Sequence, residues 1–164
     1  MDILSAIAAR HSTRSFEPTP IPREVLEQIV DAGRLAPSAL NEQPWEFVVV
    51  TEGERRRGLA ELAQNGRFLA EAPACVAVFC RETKYYLEDG CLASDHILLA
   101  AAALGVQSCW VAGDKKLYCE AVSKLLGVPR GFKLVSLLAL GYGKGPQEHA
   151  VKRPLNEAIH WEKF

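Results

Sequence analysis

Apolar residues follow two different spacings along this chain. In some stretches they recur every three or four positions, as on one face of an amphipathic helix, and in others they form short continuous or alternating runs typical of strands. The helical spacing predicts helices near Ile3–Ile7, Ile21–Leu35, Glu52–Asn65, Leu87–Leu104 and Asp114–Leu126. The apolar runs predict strands at Glu46–Thr51, Ala74–Cys80, Val106–Ala112 and Phe132–Tyr142.

Residues that start or stop helices support several of these boundaries. Pro22 suits the first turn of a helix, and Pro37 favours the end of that helix before it. Gly105 and Gly127 are expected to follow the ends of the two later helices. Asp114 is expected to cap the last helix, because its carboxylate can accept hydrogen bonds from the free N–H groups of a first turn.

The order of elements predicts helices layered around a short sheet. A chain of 164 residues is long enough for one domain with a buried core. The run Ala74–Cys80 is almost entirely apolar, so we expect it to be a central strand that is covered on both faces. The pattern alone also permits a parallel, doubly wound sheet.

Charge and cysteine usage narrow the class of protein. A formal net charge of -1 gives no strong positive field, so nucleic acid is not an expected partner. The apolar run Ile97–Leu104 is too short to span a membrane, and Met1–Ser5 lacks the features of a signal peptide. The five cysteines form no CxxC pair, which favours free thiols in a reducing cytoplasm and disfavours a zinc site.

The segment Arg10-His11-Ser12-Thr13-Arg14 is the first candidate binding motif. Two guanidinium groups four residues apart, with hydroxyl and imidazole groups between them, can surround a small dianion such as a phosphate. The alternative is that Arg10 and Arg14 only lie near a helix C-terminus, where cations are favoured.

Four further segments follow this motif. They are Ala36–Trp45 with the sequence APSALNEQPW, Ala103–Trp110 with the sequence ALGVQSCW, and the C-terminal pieces Gly141-Tyr142-Gly143 and Lys152-Arg153-Pro154. In this order and at these separations, the set resembles the FMN-dependent nitroreductase family, from Ile3 to the region of Trp161. The resemblance implies an α+β fold with a mixed, mainly antiparallel sheet flanked by helices, and a homodimer with FMN at the subunit interface.

The resemblance also implies roles for individual residues. The phosphate of FMN would be held by Arg10, His11, Ser12 and Arg14, with Lys152 and Arg153 closing the cradle. The flavin ring would lie against Pro37, Ser38, Ala39, Asn41 and Gln43 of the other subunit, and Asn65 would contact the ring or the ribityl chain. Backbone N–H groups of Val111, Ala112 and Gly113 would face flavin N5. No catalytic side chain and no metal is expected.

The expected activity is hydride transfer from NAD(P)H through FMN to a small aromatic oxidant, either a nitroaromatic or a quinone. The expected organisation is one domain over residues 1–164, in which residues 144–164 form an arm that packs on the partner subunit. Only Arg81–Tyr86 separates the second strand from the long helix, so the pocket would have little lid. A flavin-binding storage or sensing module without reductase turnover is the alternative.

Overall fold

The computed structural model describes residues 1–146 and 150–164, and the remaining positions of the predicted arm, 147–149, lie outside the described residues. Its α-helices are α1 (Ile3–Ala9), α2 (Arg23–Arg34), α3 (Gly53–Leu62), α4 (Tyr86–Ala103) and α5 (Cys119–Leu125). Its strands are β1 (Trp45–Val50), β2 (Ala74–Arg81), β3 (Gln107–Ala112) and β4 (Phe132–Gly141). Short 3₁₀ segments cover Ala39–Asn41, Gln64–Ala70 and Leu155–Glu157.

The four strands form one sheet in the order β1-β2-β4-β3, and every neighbouring pair is antiparallel. This confirms the α+β class and excludes the parallel, doubly wound alternative. The strands β2 and β4 are central, and nearly all of their side chains are buried. That burial explains their continuous apolar sequence, because residues on both faces of a covered strand leave water. The edge strands are β1 and β3.

Each face of the sheet packs against its own layer of helices. On one face α2 and α4 cover side chains such as Val76 and Leu138, and on the other α3, α5 and the second 3₁₀ segment cover neighbours such as Ala77 and Leu137. Alternation of side chains between faces places successive residues in different cores. Among the described residues, no helix is both long and apolar enough to cross a membrane.

Two predicted helices differ from the structure. The predicted Asp114–Leu126 helix begins only at Cys119, because Asp114 does not cap it: the backbone of Asp114 has a positive φ of 36°, and its carboxylate accepts a hydrogen bond from Tyr86 instead. The predicted Glu52–Asn65 helix ends at Leu62 and is followed by a 3₁₀ segment. The other predicted boundaries agree within one or two residues, and the connection between β2 and α4 is as short as expected.

Candidate functional site

The segment after α1 crosses the sheet at the point where β3 begins and β4 ends. The amide of Thr13 donates to the carbonyl of Ser108 at 2.9 Å, and the amide of Glu17 donates to Tyr142 at 2.7 Å. The amide of Lys144 returns to the carbonyl of Ser15 at 3.0 Å. These hydrogen bonds hold the segment Arg10–Arg14 beside the first residues of β3.

Three side chains of this segment converge on the thiol of Cys109. Burial raises the pKa of that thiol, whereas the guanidinium of Arg14, a hydrogen bond with Ser12 and the guanidinium of Arg10 oppose the rise, in that order. All three groups therefore lie close enough to Cys109 to act on its charge. We call Arg10, Ser12 and Arg14, which all act on this thiol, the basic cradle.

The cradle carries positive charge that forms no ion pair within residues 1–146 and 150–164. Among residues 1–146 and 150–164, neither Arg10 nor Arg14 forms an ion pair with a carboxylate, whereas Arg23, Arg34 and the other paired arginines each contact an acid nearby in sequence. The imidazole Nδ1 of His11 lies 2.9 Å from the carbonyl of Ala9. Arg10 and His11 also line a cavity of about 260 Å³ beside the last turn of α4. Two guanidinium groups without carboxylate partners suit an external dianion.

The strand β3 runs from the cradle to Val111–Gly113, whose backbone N–H groups are predicted to face the flavin. The amide of Gly113 donates to the carbonyl of Val135 at 3.1 Å, so it is occupied by the sheet. Hydrogen-bonded pairs alternate along an antiparallel ladder, so the amide of Val111 also faces β4, and that of Ala112 faces the free edge of the sheet. Of the three predicted donors to the flavin, Ala112 therefore offers its N–H outward. The distance along β3 from Ser108 to Ala112 is about 14 Å at the usual rise per residue.

Asn65 is exposed at the start of the second 3₁₀ segment, next to this end of β3. The adjacent residue, Gly66, packs so closely that an added Cβ would lie 3.1 Å from Cγ1 of Val111. The residue next to Asn65 therefore lies against Val111 of β3. Lys152 and Arg153 are exposed on the arm.

The loop Pro37–Gln43 has an unusual and strongly tethered backbone. Leu40, Asn41 and Gln43 have positive φ angles of 52°, 56° and 46°, which non-glycine residues rarely adopt. The Ser38 hydroxyl accepts a hydrogen bond from the amide of Gln43 at 3.0 Å, and the amide of Ala39 donates to a carboxylate on α4 at 2.9 Å. Sparsely populated backbone conformations of this kind cluster at functional sites.

The loop and the cradle adjoin different edge strands of the sheet. The loop leads directly into β1, whereas the cradle and Ala112 lie along β3, at the opposite edge of the sheet. Three strand spacings separate β1 from β3, a distance of about 14 Å.

Asp89, a buried acid near this loop, is a polar residue that the sequence analysis did not predict. The hydroxyl of Tyr86 donates to Oδ1 of Asp114 at 2.6 Å, and Asp89 is buried beneath the loop. A signal for Asp89 was present, because it falls at helical spacing on the same stripe as the buried residues Ala93 and Ile97. No cluster of histidine, cysteine or acidic residues suited to a metal occurs in the described part of the chain.

A separate groove of about 1010 Å³ runs between α2 and the free edge of β1. Its lining includes apolar side chains such as Ile21, Leu26, Trp45 and Phe47. The arm beyond residue 150 exposes large apolar side chains of its own, among them Leu155, Trp161 and Phe164. The groove is lined by charged residues as well as by these mostly buried apolar ones, whereas the arm exposes its large apolar side chains.

Comparison with known proteins gives a consistent picture. A family model described as the nitroreductase family matches residues 7–91 and 67–142. An Archaeoglobus fulgidus protein, provisionally named NADH dehydrogenase/NAD(P)H nitroreductase, is 34% identical, with 99% of each chain covered. A Methanothermobacter thermautotrophicus protein with the same provisional name is 32% identical over 100% of this chain and 88% of its own. The structure of an FMN-dependent nitroreductase from Clostridium difficile R20291 superposes with a TM-score of 0.91 at 25% identity, covering 98% of this chain and 99% of that one.

The contact between Tyr86 and Asp114 predicts a late titration of one tyrosine. The hydrogen bond to the Asp114 carboxylate, with a smaller contribution from burial, raises the pKa of Tyr86 to about 12. A raised pKa favours the protonated phenol in the folded state, so the stability contributed by this contact is complete below pH 10 and is lost as the pH rises towards 12. Tyr86→Phe should therefore show the same tyrosinate absorbance as the wild type at pH 11. An additional ionised tyrosine in the wild type at that pH would contradict the contact.

Proposed function

Because the chain belongs to the nitroreductase family, we propose that it is an FMN-dependent oxidoreductase that uses NAD(P)H to reduce nitroaromatic or quinone acceptors. Bound FMN would supply the redox chemistry, by accepting hydride from the nicotinamide and passing it to the acceptor. The protein's own groups would bind and orient the reactants. Neither the family relationship nor the fold requires a catalytic side chain for this role.

The observation that carries the proposal is the basic cradle. Arg10 and Arg14 supply charged N–H donors without carboxylate partners among the described residues, and Ser12 adds a hydroxyl. That donor set fits a terminal phosphate dianion, which distinguishes FMN from riboflavin. His11 lines the same region, and Lys152 and Arg153 on the arm are proposed to complete the phosphate contacts.

The opposite end of β3 is proposed to hold the flavin ring. The amide of Ala112 faces the free edge there, and a donor at that position would stabilise negative charge that develops on a reduced ring. Val111 and Gly113 keep this backbone in register with β4, and Asn65 lies nearby to contact the ring or the ribityl chain. The small side chain of Ala112 leaves the ring face open to nicotinamide and to oxidants in turn.

A second copy of the chain is proposed to complete each site, in a homodimer. The loop Pro37–Gln43 leads into β1, at the opposite edge of the sheet from β3, and we assign its contact with the ring to the partner subunit. Ala39 and the amides of Asn41 and Gln43 would then contact the flavin of the partner subunit. The exposed apolar arm supports the same assembly, because a second copy that covers Leu155, Trp161 and Phe164 would remove their apolar surface from water.

We place the enzyme in the cytoplasm. All five cysteines are free thiols, and three of them are buried. Free thiols persist in a reducing compartment.

Anaerobic reduction tests the proposed function directly. NADH or NADPH should bleach the visible absorbance of the bound flavin, and subsequent addition of a nitroaromatic or a quinone should restore it. Since one open pocket must admit the two reactants in turn, double-reciprocal plots of steady-state rates should give parallel lines. Both acceptor classes should react, because a weakly enclosed pocket makes few differential contacts. A bound flavin that no reduced nicotinamide bleaches would leave only the storage or sensing role.

Removal of one cradle arginine should lower the affinity for FMN but not the affinity for riboflavin. The wild type should bind FMN more tightly than riboflavin, and Arg14→Ala should weaken FMN binding by about tenfold or more through loss of a charge-assisted contact. Riboflavin affinity should stay nearly unchanged in the variant. Arg57→Ala is the matched control, because Arg57 lies on α3 and is paired with Glu54. Equal affinities of the wild type for the two flavins would contradict the phosphate assignment.

Two sets of arm variants should separate assembly from phosphate binding. Trp161→Ala, which removes a side chain that is 77% exposed in one chain, should shift the monomer–dimer equilibrium towards monomer in sedimentation experiments. Lys152→Ala combined with Arg153→Ala should weaken FMN binding with little effect on that equilibrium. Deletion of the residues from Lys152 onward should lower both the stability of the dimer and the affinity for FMN. A monomer that retains stoichiometric FMN would rule out an interfacial site.

A further inference from the structure

Asp89 is a buried acid that the proposed chemistry does not use. It lies in the first turns of α4 and is only 2% exposed. Its Oδ1 accepts a hydrogen bond from the amide of Ala39 at 2.9 Å, across 50 residues of sequence. Its Oδ2 is buried and has no hydrogen-bond partner among the described residues.

The stability of the folded chain alone does not explain a buried aspartate at position 89. A buried carboxylate loses its hydration, and one hydrogen bond from a neutral amide recovers only part of that free energy. An apolar side chain at position 89 would continue the apolar stripe of Ala93 and Ile97. What the carboxylate provides, and an apolar residue would not, is an acceptor for the loop that begins at Pro37.

The loop needs such an acceptor because its backbone is strained. Leu40, Asn41 and Gln43 all have positive φ angles, and such conformations persist only where the surroundings impose them. Most of the loop's hydrogen bonds are internal, and those from Asn41 and Gln43 return to Ser38. On the downstream side, the guanidinium of Arg81 donates to the carbonyl of Glu42 at 3.1 Å.

On the upstream side, the hydrogen bond from Ala39 to Asp89 ties the loop to the helix layer. We propose that Asp89 is a positioning residue: by accepting the amide of Ala39, it holds Pro37–Gln43 in the conformation in which this loop meets the flavin of a second copy. The inference rests on the proposed function, because it assigns the loop to a flavin site. It also makes the buried helix α4 of one subunit a determinant of cofactor binding in the other.

Amide exchange in the flavin-free protein tests the tether without any reaction. The Ala39 amide should exchange faster with deuterium in Asp89→Ala than in the wild type, because its acceptor is gone. Asp89→Asn retains an acceptor oxygen and should restore slow exchange. Ser94→Ala is the control, since Ser94 is a buried residue of the same helix whose hydroxyl bonds Gly90 and Ser136 rather than the loop.

FMN titration then connects the tether to the site. Asp89→Ala should weaken FMN binding by about tenfold or more, equivalent to about 1.4 kcal/mol, and Asp89→Asn should recover most of the loss. Ser94→Ala should lower the melting temperature and leave FMN affinity near that of the wild type. If Asp89→Ala does not fold, Ala39→Pro removes the donor instead, and Ser38 already has the extended conformation that suits a following proline.

Mixed dimers show which subunit receives the loop. Neither Asp89→Ala nor Arg14→Ala alone has a complete site. After subunit exchange, a mixed dimer joins the intact cradle of the Asp89→Ala chain to the intact loop of the Arg14→Ala chain. The mixture should therefore bind FMN at wild-type affinity in one site of each mixed dimer.

Some results would overturn the positioning role of Asp89 alone, and others would overturn the proposed function as well. Unchanged Ala39 exchange in Asp89→Ala, or weakened FMN binding that Asp89→Asn does not rescue, overturns the positioning role. Faster exchange with unchanged FMN affinity also overturns it, while wild-type FMN binding leaves the proposed function in place. A wild-type protein that binds no FMN overturns the proposed function and this inference together.

Discussion

The close packing of α4 on the sheet is the constraint on which the remaining geometry depends. At Gly90 an added Cβ would lie 2.6 Å from Cγ2 of Val135 and 2.9 Å from Sγ of Cys80, so the helix backbone rests almost directly on the strands. Tightly packed interiors leave little freedom for relative movement. The first turn of α4 therefore has a fixed place, and so do the loops that it contacts through Tyr86 and Asp89.

Much of the fold could be predicted because it depends on short-range patterns. The strand predicted at Ala74–Cys80 is β2, at the centre of the sheet, because continuous apolar sequence leaves few alternatives to burial on both faces. The apolar pattern does not determine whether neighbouring strands run parallel or antiparallel. The mainly antiparallel arrangement was predicted only from the family resemblance. The predicted cap at Asp114 was wrong because a tertiary contact with Tyr86 outweighed the local preference of aspartate for a helix start.

The same division applies to the candidate site. Arg10, Ser12 and Arg14 are adjacent in sequence, so their clustering needed only one well-placed loop. The tether between Asp89 and Ala39 joins distant segments, and sequence spacing gives no sign of which amide a buried acid will meet. Contacts between subunits are still harder to predict, because the sequence pattern of one chain does not indicate which surface another chain presents to it.

The free edge of β1 has a consequence for how the protein must be made. Trp45–Val50 presents unpaired backbone groups on one side, and such edges are templates for pairing with any other extended chain. A newly synthesised chain carries this edge together with the exposed apolar side chains of the arm. Recovery of native protein then depends on a competition between folding and aggregation, and low temperature and slow expression favour folding by limiting the concentration of incompletely folded chains.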